Sequence, residues 1–318
     1  MKRTGAIMAA IFLTLAACPA VAVNDYAGTG LEPFVRAAAK IQTIEGGRVS
    51  AVFWDLAGLT DAQIQGLASC GFNELVVDGH HFATGMLDID FVAKRVIAAQ
   101  RAGITSFKFV RGSPDWAMAR RYDAVRRINQ MADRILELKK TLRQRNEMAA
   151  DKIVKGVLIN VEVYADPAWN YDLTTYVNLH QELQSLVQIK GLTYESFEAF
   201  WIGDARHESG RAMIGFQIPS PRTIYIMSYR RDSYEAFKIA DHFAVYGPHV
   251  AGFDLVTGSP VGFRDEPAAM AVAVADYIDL SSSPGRPGFK GIFVNAAHAR
   301  DIIAFARAAL RTQVASND

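Results

Sequence analysis

The chain has 318 residues, of which 50% are hydrophobic and 21% are charged, and its formal net charge is +1. This is the composition of a globular protein with a sizeable core, and the near-zero charge does not favour nucleic acid or anionic lipid as a partner. No P-loop, G-x-G-x-x-G or G-x-S-x-G pattern occurs, which disfavours a nucleotide site and an activated serine. No linker composition divides the chain. We therefore expect a single domain over residues 49–312, with 23–48 as an N-terminal extension and 313–318 as a tail.

Residues 1–22 have the pattern of an export signal. A positively charged start precedes an apolar run, and residues 20–22 read Ala-Val-Ala, an A-x-A cleavage pattern. Residues 15–18 read Leu-Ala-Ala-Cys and also resemble a lipobox, in which Cys18 would carry a lipid. The sequence predicts an exported protein, periplasmic or secreted. It is either cleaved after Ala22 or held to the envelope by a lipid on Cys18, which would be its one tie to a membrane.

Eight apolar segments of strand character follow, and most are nearly continuous runs of Val, Ile and Phe, as in parallel strands covered on both faces. The predicted strands are Ser50–Asp55, Glu74–Asp78, Thr105–Arg111, Val157–Tyr164, Met213–Pro219, Thr223–Tyr229, Ala251–Thr257 and Gly291–Asn295. Helical spacing of apolar residues separates many of them. The predicted helices are Asp61–Cys70, Asp90–Ala102, Asp115–Ala150, Pro267–Tyr277 and Ala299–Leu310.

Eight such repeats in one chain predict a (β/α)8 TIM barrel, and an open doubly wound parallel sheet is the alternative. Strands five and six are the weak point of this prediction. Only residues 220–222 separate them, which is too short for a crossover helix. Either strand five lies earlier in the chain or its helix is lost.

The predicted fourth strand carries polar residues where a buried strand should be apolar. Its residues alternate between two faces, so Asn160, Glu162 and Tyr164 share one face with Leu158. Burying an acid and an amide together costs several kcal/mol unless both are satisfied or useful. This segment is therefore the strongest indication of a functional site.

Polar residues also stand at the ends of the other strands. Because barrel active sites form at the carboxyl ends of the strands, these residues are expected to line one pocket for a polar ligand. The candidates are Asp55, Asp78, His80, His81, Lys108, Arg111, Asn160, Glu162, Tyr164, Trp169, Gln217, Tyr229, Arg230, Asp254 and Asn295.

Short motifs in this set resemble a group of bacterial glycosidase-like TIM barrels. The run Val-Leu-Ile-Asn-Val-Glu-Val-Tyr, followed by Trp169, is similar to their strand-four Asp-Val-Glu-Pro-Tyr and tryptophan. Residues 226–230, Ile-Met-Ser-Tyr-Arg, resemble their strand-six Met-Ala-Tyr-Arg, and residues 252–254, Gly-Phe-Asp, fit their strand seven. The resemblance covers roughly Val49 to Phe305 and implies a barrel that acts on or binds glycans.

The wider resemblance is to chitinases and endo-β-N-acetylglucosaminidases. Glu162 matches the chitinase glutamate, but the aspartates of the D-x-x-D-x-D-x-E run fall on Lys155, Leu158 and Asn160, which argues against chitinase activity proper. Asn160-Val161-Glu162 is similar to the Asn-x-Glu of endo-β-N-acetylglucosaminidases. There the amide supports the substrate's own 2-acetamido group as it attacks the anomeric carbon.

These observations predict a glycoside hydrolase acting on a polysaccharide or amino-sugar glycan, with Glu162 as general acid and base. Asn160 would support an acetamido group, and Asp254, Asp78 and Asp55 are the candidates for a second carboxylate. The alternative for Glu162 is a structural ion pair with a nearby arginine or lysine. The alternative for the whole chain is a catalytically silent barrel that binds carbohydrate or an envelope polymer.

The other predicted roles are contacts to the sugar. Tyr229 would hydrogen-bond the ring or its acetamido carbonyl, and Trp169 would stack on a pyranose face. His80 and His81, on an extended strand, would face opposite ways and lack the three or four convergent ligands of a zinc site. We therefore expect no metal and no cofactor, and a sugar-contacting or loop-capping role for this pair.

Overall fold

A computed structural model describes residues 32–166, 173–199, 223–241, 247–255, 263, 266–281 and 288–296. The helices within these ranges are α1 (Glu32–Gln42), α2 (Asp61–Ser69), α3 (His80–Ala83), α4 (Ile89–Arg101), α5 (Arg121–Gln144), α6 (Met148–Ile153), α7 (Leu173–Gln188), α8 (Ser233–Asp241) and α9 (Pro267–Ser281). The strands are β1 (Arg48–Phe53), β2 (Glu74–Asp78), β3 (Ser106–Arg111), β4 (Val154–Ile159), β5 (Thr193–Ala199), β6 (Ile224–Met227), β7 (His249–Asp254) and β8 (Phe289–Ala296).

The eight strands form a closed parallel barrel in sequence order. Each strand pairs with the next, and β8 returns to pair with β1 over Arg48 to Phe53. The (β/α)8 prediction is therefore confirmed. The open doubly wound sheet is wrong, because an open sheet would leave β1 and β8 as unpaired edges.

The predicted position of strand five is wrong. The fifth strand is Thr193–Ala199, and Met213–Pro219 lies outside the described residues. β5 reads TYESFEA, and its two glutamates are buried, so it lacks the apolar run that marks the other strands. Helix α7 connects β4 to β5, and the earlier position of β5 leaves residues 200–223 for the connection to β6, where the predicted arrangement left only three residues.

Strand four is shorter than predicted. It ends at Ile159, and a 3₁₀ turn spans Val163–Ala165, so Asn160 and Glu162 lie just beyond the strand. The predicted alternation nevertheless holds at the end of β4, where Leu158 faces the barrel interior and Ile159 faces the surrounding helices.

The helices differ from the predictions in two places. Helix α1 lies in the segment predicted as an extension, and it buries Phe34 and Ile41 in the main core while Lys40 pairs with Asp279 of α9 at 2.5 Å. The predicted long helix is a 3₁₀ turn at Pro114–Trp116 followed by α5 and α6, with Asn146 between the two helices in the left-handed region at φ 60°. Ala299–Leu310 lies outside the described residues. Within those residues, no helix combines the length and apolarity needed to cross a membrane.

The barrel interior has three levels. The end where the strands begin holds a buried polar cluster of Arg48, Ser50, Glu74, Lys108, Glu195 and Tyr225. The middle level is apolar and consists of Val52, Val76, Val110, Leu158, Phe197, Val250 and Phe293, with the ring of Tyr225 packed among them. The polar residues at the carboxyl ends of the strands stand above this layer, which closes the floor of the site.

Candidate active site

A cavity of about 110 Å³ opens at the carboxyl end of the barrel. Its lining comes from five strand ends and consists of Trp54, Asn160, Glu162, Phe197, Met227, Tyr229 and Asn295. Four of these were predicted site residues: Asn160, Glu162, Tyr229 and Asn295. The barrel therefore brings together residues up to 241 positions apart in the chain, from Trp54 to Asn295.

Asn160 and Glu162 form the polar wall of the cavity. The Asn160 Nδ2 atom donates to Glu162 Oε1 at 2.9 Å, and the Asn160 backbone N–H donates to the carbonyl oxygen of Arg111 at 3.0 Å. A Cβ added at Gly112 would come within 1.5 Å of the Asn160 carbonyl oxygen, so only glycine permits this approach. The exits of β3 and β4 are thereby held together, and the amide is fixed against the carboxylate.

The Asn160 side chain has one hydrogen-bonding group left over. Its Oδ1 atom is buried and has no donor among the residues that the structure describes. A buried acceptor without a partner costs roughly 1–3 kcal/mol. A donor brought to this side of the cavity, such as the N–H of an amide substituent, would recover that cost if the side chain turned toward it.

Asn295 connects two further residues at the mouth. The Trp54 Nε1–H donates to Asn295 Oδ1 at 3.4 Å, and Asn295 Nδ2 donates to Asp254 Oδ1 at 3.1 Å. Asp254 is buried, ends β7 and is absent from the cavity lining. The predicted catalytic role of Asp254 remains a prediction, and the geometry gives this carboxylate a partner that is itself a lining residue.

The aromatic walls of the cavity come from Trp54 and Tyr229. The Trp54 side chain is 36% exposed, and Tyr229 packs edge-on against Phe293 of the apolar layer with ring centroids 6.0 Å apart. Arg230, another predicted contact, turns back so that Nη1 donates to the carbonyl oxygen of Tyr229 at 2.7 Å. An exposed indole beside a polar wall is a suitable surface for the apolar face of a sugar ring.

A second polar group stands at the exits of β2 and β3, next to the cavity. His80 and His81 begin the short helix α3, not an extended strand as predicted, and their rings lie 5.1 Å apart. Burial raises the pKa of Asp78 above its usual value. The pKa of His80 is lowered, first by burial and then by the positive charge of Arg111. Burial also lowers the pKa of Arg111.

The remaining predicted residues are placed as follows. Asp55 is exposed and accepts a hydrogen bond from the Gly58 N–H at 3.0 Å, so its carboxylate closes a turn outside the cavity lining. Lys108 lies at the opposite end of the barrel, in the buried polar cluster. The side chain of Tyr164, and all of Trp169 and Gln217, lie outside the described residues.

Sequence reasoning did not select three lining residues, which are Trp54, Phe197 and Met227. Trp54 is two residues after Val52, which faces the barrel interior, so alternation along the strand could have indicated that Trp54 faces the same way. Phe197 could not be found because its strand was misplaced. Within the described part of the chain, no group of three or more His, Cys, Asp or Glu could hold a metal ion.

Comparison with known proteins gives no family assignment. No family model matches the chain, and no curated protein matches it. Similar solved structures include a GH18 chitinase from Pseudoalteromonas aurantia, 12% identical with a TM-score of 0.48, covering 83% of this chain and 99% of the chitinase. They also include a 2,3-dimethylmalate lyase of the PEP mutase/isocitrate lyase superfamily, 12% identical with a TM-score of 0.47, covering 89% of this chain and 87% of the lyase.

A third similar structure is an O-GlcNAc hydrolase from Thermobaculum terrenum, 10% identical with a TM-score of 0.47, covering 83% of this chain and 58% of the hydrolase. Glycosidases and a lyase therefore match equally well at this level, because the barrel is common to many reactions. Only the chemistry of the site itself can therefore indicate a function.

Proposed function

We propose that this chain is a glycoside hydrolase acting on a glycan that contains 2-acetamido sugars, with Glu162 as general acid and base. The observation that carries the proposal is the hydrogen-bonded pair of Asn160 and Glu162 on the wall of a cavity that also presents Trp54 and Tyr229. A carboxyl group supplies the proton that a glycosidic oxygen needs on leaving. The amide and the aromatic rings supply contacts to the substrate.

The placement of Asp254 favours the substrate-assisted route. Ordinary retaining and inverting glycosidases require a second carboxylate facing the first. Asp254 is buried and accepts a hydrogen bond from Asn295, and Glu162 is the one carboxylate in the lining of the cavity as described. A neighbouring acetamido group would replace the missing carboxylate.

The proposed reaction has two steps. The acetamido carbonyl oxygen attacks the anomeric carbon, the glycosidic C–O bond breaks, and Glu162 gives its proton to the departing oxygen. A water molecule then attacks the anomeric carbon and reopens the ring formed by the acetamido group. Glu162, now a carboxylate, takes the proton of that water and is restored.

In this reaction Asn160 would accept a hydrogen bond from the acetamido N–H, which orients the carbonyl oxygen for attack. We expect wild-type protein to hydrolyse 4-nitrophenyl 2-acetamido glycosides faster than plain hexosides. Asn160→Ala should slow the acetamido substrates about 10- to 100-fold more than the plain hexosides, the worth of a hydrogen bond to a charged group. Steady-state rates on both substrate sets measure this, and Asn129→Ala on exposed α5 is the matched control.

Two results would contradict this proposal. Equal losses on acetamido and plain substrates in Asn160→Ala would remove the acetamido group from the mechanism. The second candidate function, a silent carbohydrate-binding barrel, is favoured by the lack of a second carboxylate in the described cavity lining. Wild-type protein that binds saccharides but hydrolyses none of the substrates would support that function instead.

The N-terminal segment supports export to the periplasm or the medium as a further part of the proposal. A glycan-degrading enzyme would then meet its substrate outside the cytoplasm, whether it is cleaved after Ala22 or lipidated at Cys18.

A further inference from the structure

Arg111 differs from the other arginines near the mouth of the barrel. It ends β3 and is half-buried, yet its guanidinium makes no hydrogen bond or ion pair with any residue that the structure describes. Removing a cation from water without an acceptor is unfavourable. A half-buried guanidinium without an acceptor among the described residues can bind an acceptor on a ligand.

The nearby carboxylates are already occupied. Asp123 on α5 pairs with Arg120 at 2.9 Å, Arg127 at 2.7 Å and Arg126 at 2.5 Å. The hydrogen bonds from Arg126 and Arg127 lower the pKa of Asp123 to about 2, so this carboxylate is ionised and already paired with neighbouring arginines. Asp78 accepts the backbone N–H of His80, and burial raises its pKa against the lowering effect of the Arg111 charge. Neither carboxylate is an ion-pair partner of Arg111.

The register of the sheet places Arg111 beside a second incomplete group. Asp78 is level with Val110, and the Gly79 N–H donates to the Val110 carbonyl oxygen at 2.8 Å, so His80 follows directly alongside Arg111. The His80 Nδ1 atom is buried and has no hydrogen-bond partner within the described ranges. Arg111 and His80 together form what is here called the β2–β3 rim.

The rim adjoins the cavity. The Arg111 carbonyl oxygen accepts the Asn160 N–H at 3.0 Å, which makes the residue that carries the guanidinium an immediate neighbour of the polar wall. Its side chain lies on the opposite alternation from Val110, away from the barrel axis. Because Arg111 is not part of the cavity lining, a glycan held at Asn160 and Glu162 would reach it with a neighbouring sugar and not with the ring being cleaved.

We propose that the β2–β3 rim is a subsite for a carboxylate-bearing sugar, bound through the guanidinium of Arg111. A guanidinium offers two parallel N–H groups that match the two oxygens of a carboxylate, and such forked pairs are among the stronger hydrogen bonds in proteins. This inference rests on the proposed function, because it assumes a glycan in the neighbouring cavity. It narrows the substrate class to acidic amino-sugar glycans.

The test compares pairs of oligosaccharides that differ only in charge. Tetrasaccharides of alternating N-acetylglucosamine and glucuronic acid, or of N-acetylglucosamine and N-acetylmuramic acid, are matched with the same compounds after reduction of their carboxylates to alcohols. Calorimetric dissociation constants are measured for wild type, Arg111→Gln and Arg111→Lys. Arg143→Gln is the control, since Arg143 is half exposed at the far end of α5, next to the opposite mouth of the barrel.

We expect wild type to bind at least one acidic compound about tenfold or more tighter than its reduced form. Arg111→Gln should lose this preference and keep its affinity for the neutral compound. Arg111→Lys should retain part of it, because the charge remains but the fork is lost. Arg143→Gln should behave as wild type, and thermal unfolding of each variant checks that the fold is intact.

Three results would overturn the subsite: no acidic preference in wild type for either pair, a preference that survives in Arg111→Gln, or no binding of any compound. The outcome is separate from that of the proposed function. If the protein hydrolyses neutral acetamido glycosides but shows no preference for acidic compounds, the proposed hydrolase function stands and the subsite is wrong. If it shows an Arg111-dependent preference for acidic compounds but no hydrolysis, the subsite stands and the hydrolase function is wrong.

Discussion

Asn295 joins two residues at the mouth of the barrel through the two ends of its amide. Asp254 accepts from its Nδ2 atom, and Trp54 donates to its Oδ1 atom. A carboxylate can only accept, so Asp254 determines which way the amide points. The orientation of the amide in turn provides the acceptor for the indole. Asp254 is thus a positioning residue for Trp54 in this account.

A substitution at Asp254 separates positioning from catalysis. Asp254→Asn can donate as well as accept, so it no longer fixes the Asn295 amide, and Trp54 loses its orientation. We expect KM for an aryl glycoside to rise several-fold while kcat falls by less than about tenfold, because ground-state contacts are affected and proton transfer is not. Steady-state kinetics measure both constants.

The double variant Asp254→Asn with Trp54→Phe supplies the control. If Asp254 acts through Trp54, its effect on KM should largely disappear when the indole is absent, since coupled residues are not additive. A fall in kcat of about 10² or more in Asp254→Asn alone would instead make Asp254 the second carboxylate.

Alternation along the sequence was enough to predict that Asn160 and Glu162 lie on one side of the chain, and both line the cavity. It did not indicate that the Asp55 side chain accepts from a backbone N–H three residues later and closes a turn. An aspartate that closes a turn and an aspartate that contacts a ligand can stand at the same place after a strand. The sequence pattern therefore does not distinguish the two roles.

At the scale of elements, the fifth strand shows why apolar runs are an incomplete signal. Glu195 and Glu198 interrupt β5, but both are buried and bonded. Glu195 pairs with Arg48 at 2.6 Å and with Lys108, and Glu198 accepts from Tyr176 at 2.8 Å. Ser196 of β5 also donates to Glu198, at 2.6 Å, but the charged partners of Glu195 come from β1 and β3, 147 and 87 residues away. The sequence of β5 alone therefore does not indicate that its acids are compensated.

The buried cluster at the start of the strands ties five strands together. Lys108 is 2% exposed and contacts Glu74 at 2.7 Å, Glu195, and the Tyr225 hydroxyl at 2.9 Å. Lys108→Met would leave two carboxylates without their shared cation, and we expect the free energy of unfolding to fall by about 3–5 kcal/mol. Urea denaturation measures this. Lys40→Met, at an exposed pair, should cost less than about 1 kcal/mol.

The same cluster should make stability depend on pH. Burial alone would raise the pKa of Glu74, but the charges of Lys108 and Arg48 overcome it and hold this pKa well below 4.5. A depressed carboxyl pKa contributes stability above the unfolded value, so this contribution is lost as the pH falls below about 4.5. Glu74→Gln should be less stable at neutral pH and less acid-sensitive. Equal acid sensitivity in wild type and Glu74→Gln would contradict this role of the cluster.

At the scale of the whole molecule, repetition of strand and helix was enough to predict the barrel. Eight parallel strands that alternate with crossovers are the number needed to close a barrel, and seven of them are visible in the sequence as apolar runs. Because all eight strands are parallel, the polar residues at their carboxyl ends then lie at the same end of the barrel. Which of these polar residues line the cavity depends on the loops, and the periodicity of the sequence does not encode loop geometry. Arg111 and His80 of the β2–β3 rim, for example, are not part of the lining.

The central claim is that Glu162 gives a proton to the departing glycosidic oxygen, and the dependence on leaving group tests it most directly. The substrates are 2-acetamido glycosides of phenols ranging from unsubstituted phenol, a poor leaving group, to dinitrophenol, which leaves without protonation. Hydrolysis rates are measured for wild type and Glu162→Gln, with Glu147→Gln, a salt-bridged glutamate at the opposite end of the barrel, as the control.

Because only poor leaving groups need the proton, Glu162→Gln should lose about 10²- to 10⁴-fold on the phenyl glycoside and less than about tenfold on the dinitrophenyl glycoside. Glu147→Gln should match wild type throughout. Equal losses across the series would mean that Glu162 supports the structure or binds the sugar without donating a proton. That result, or a wild type inactive on every member, would contradict the account.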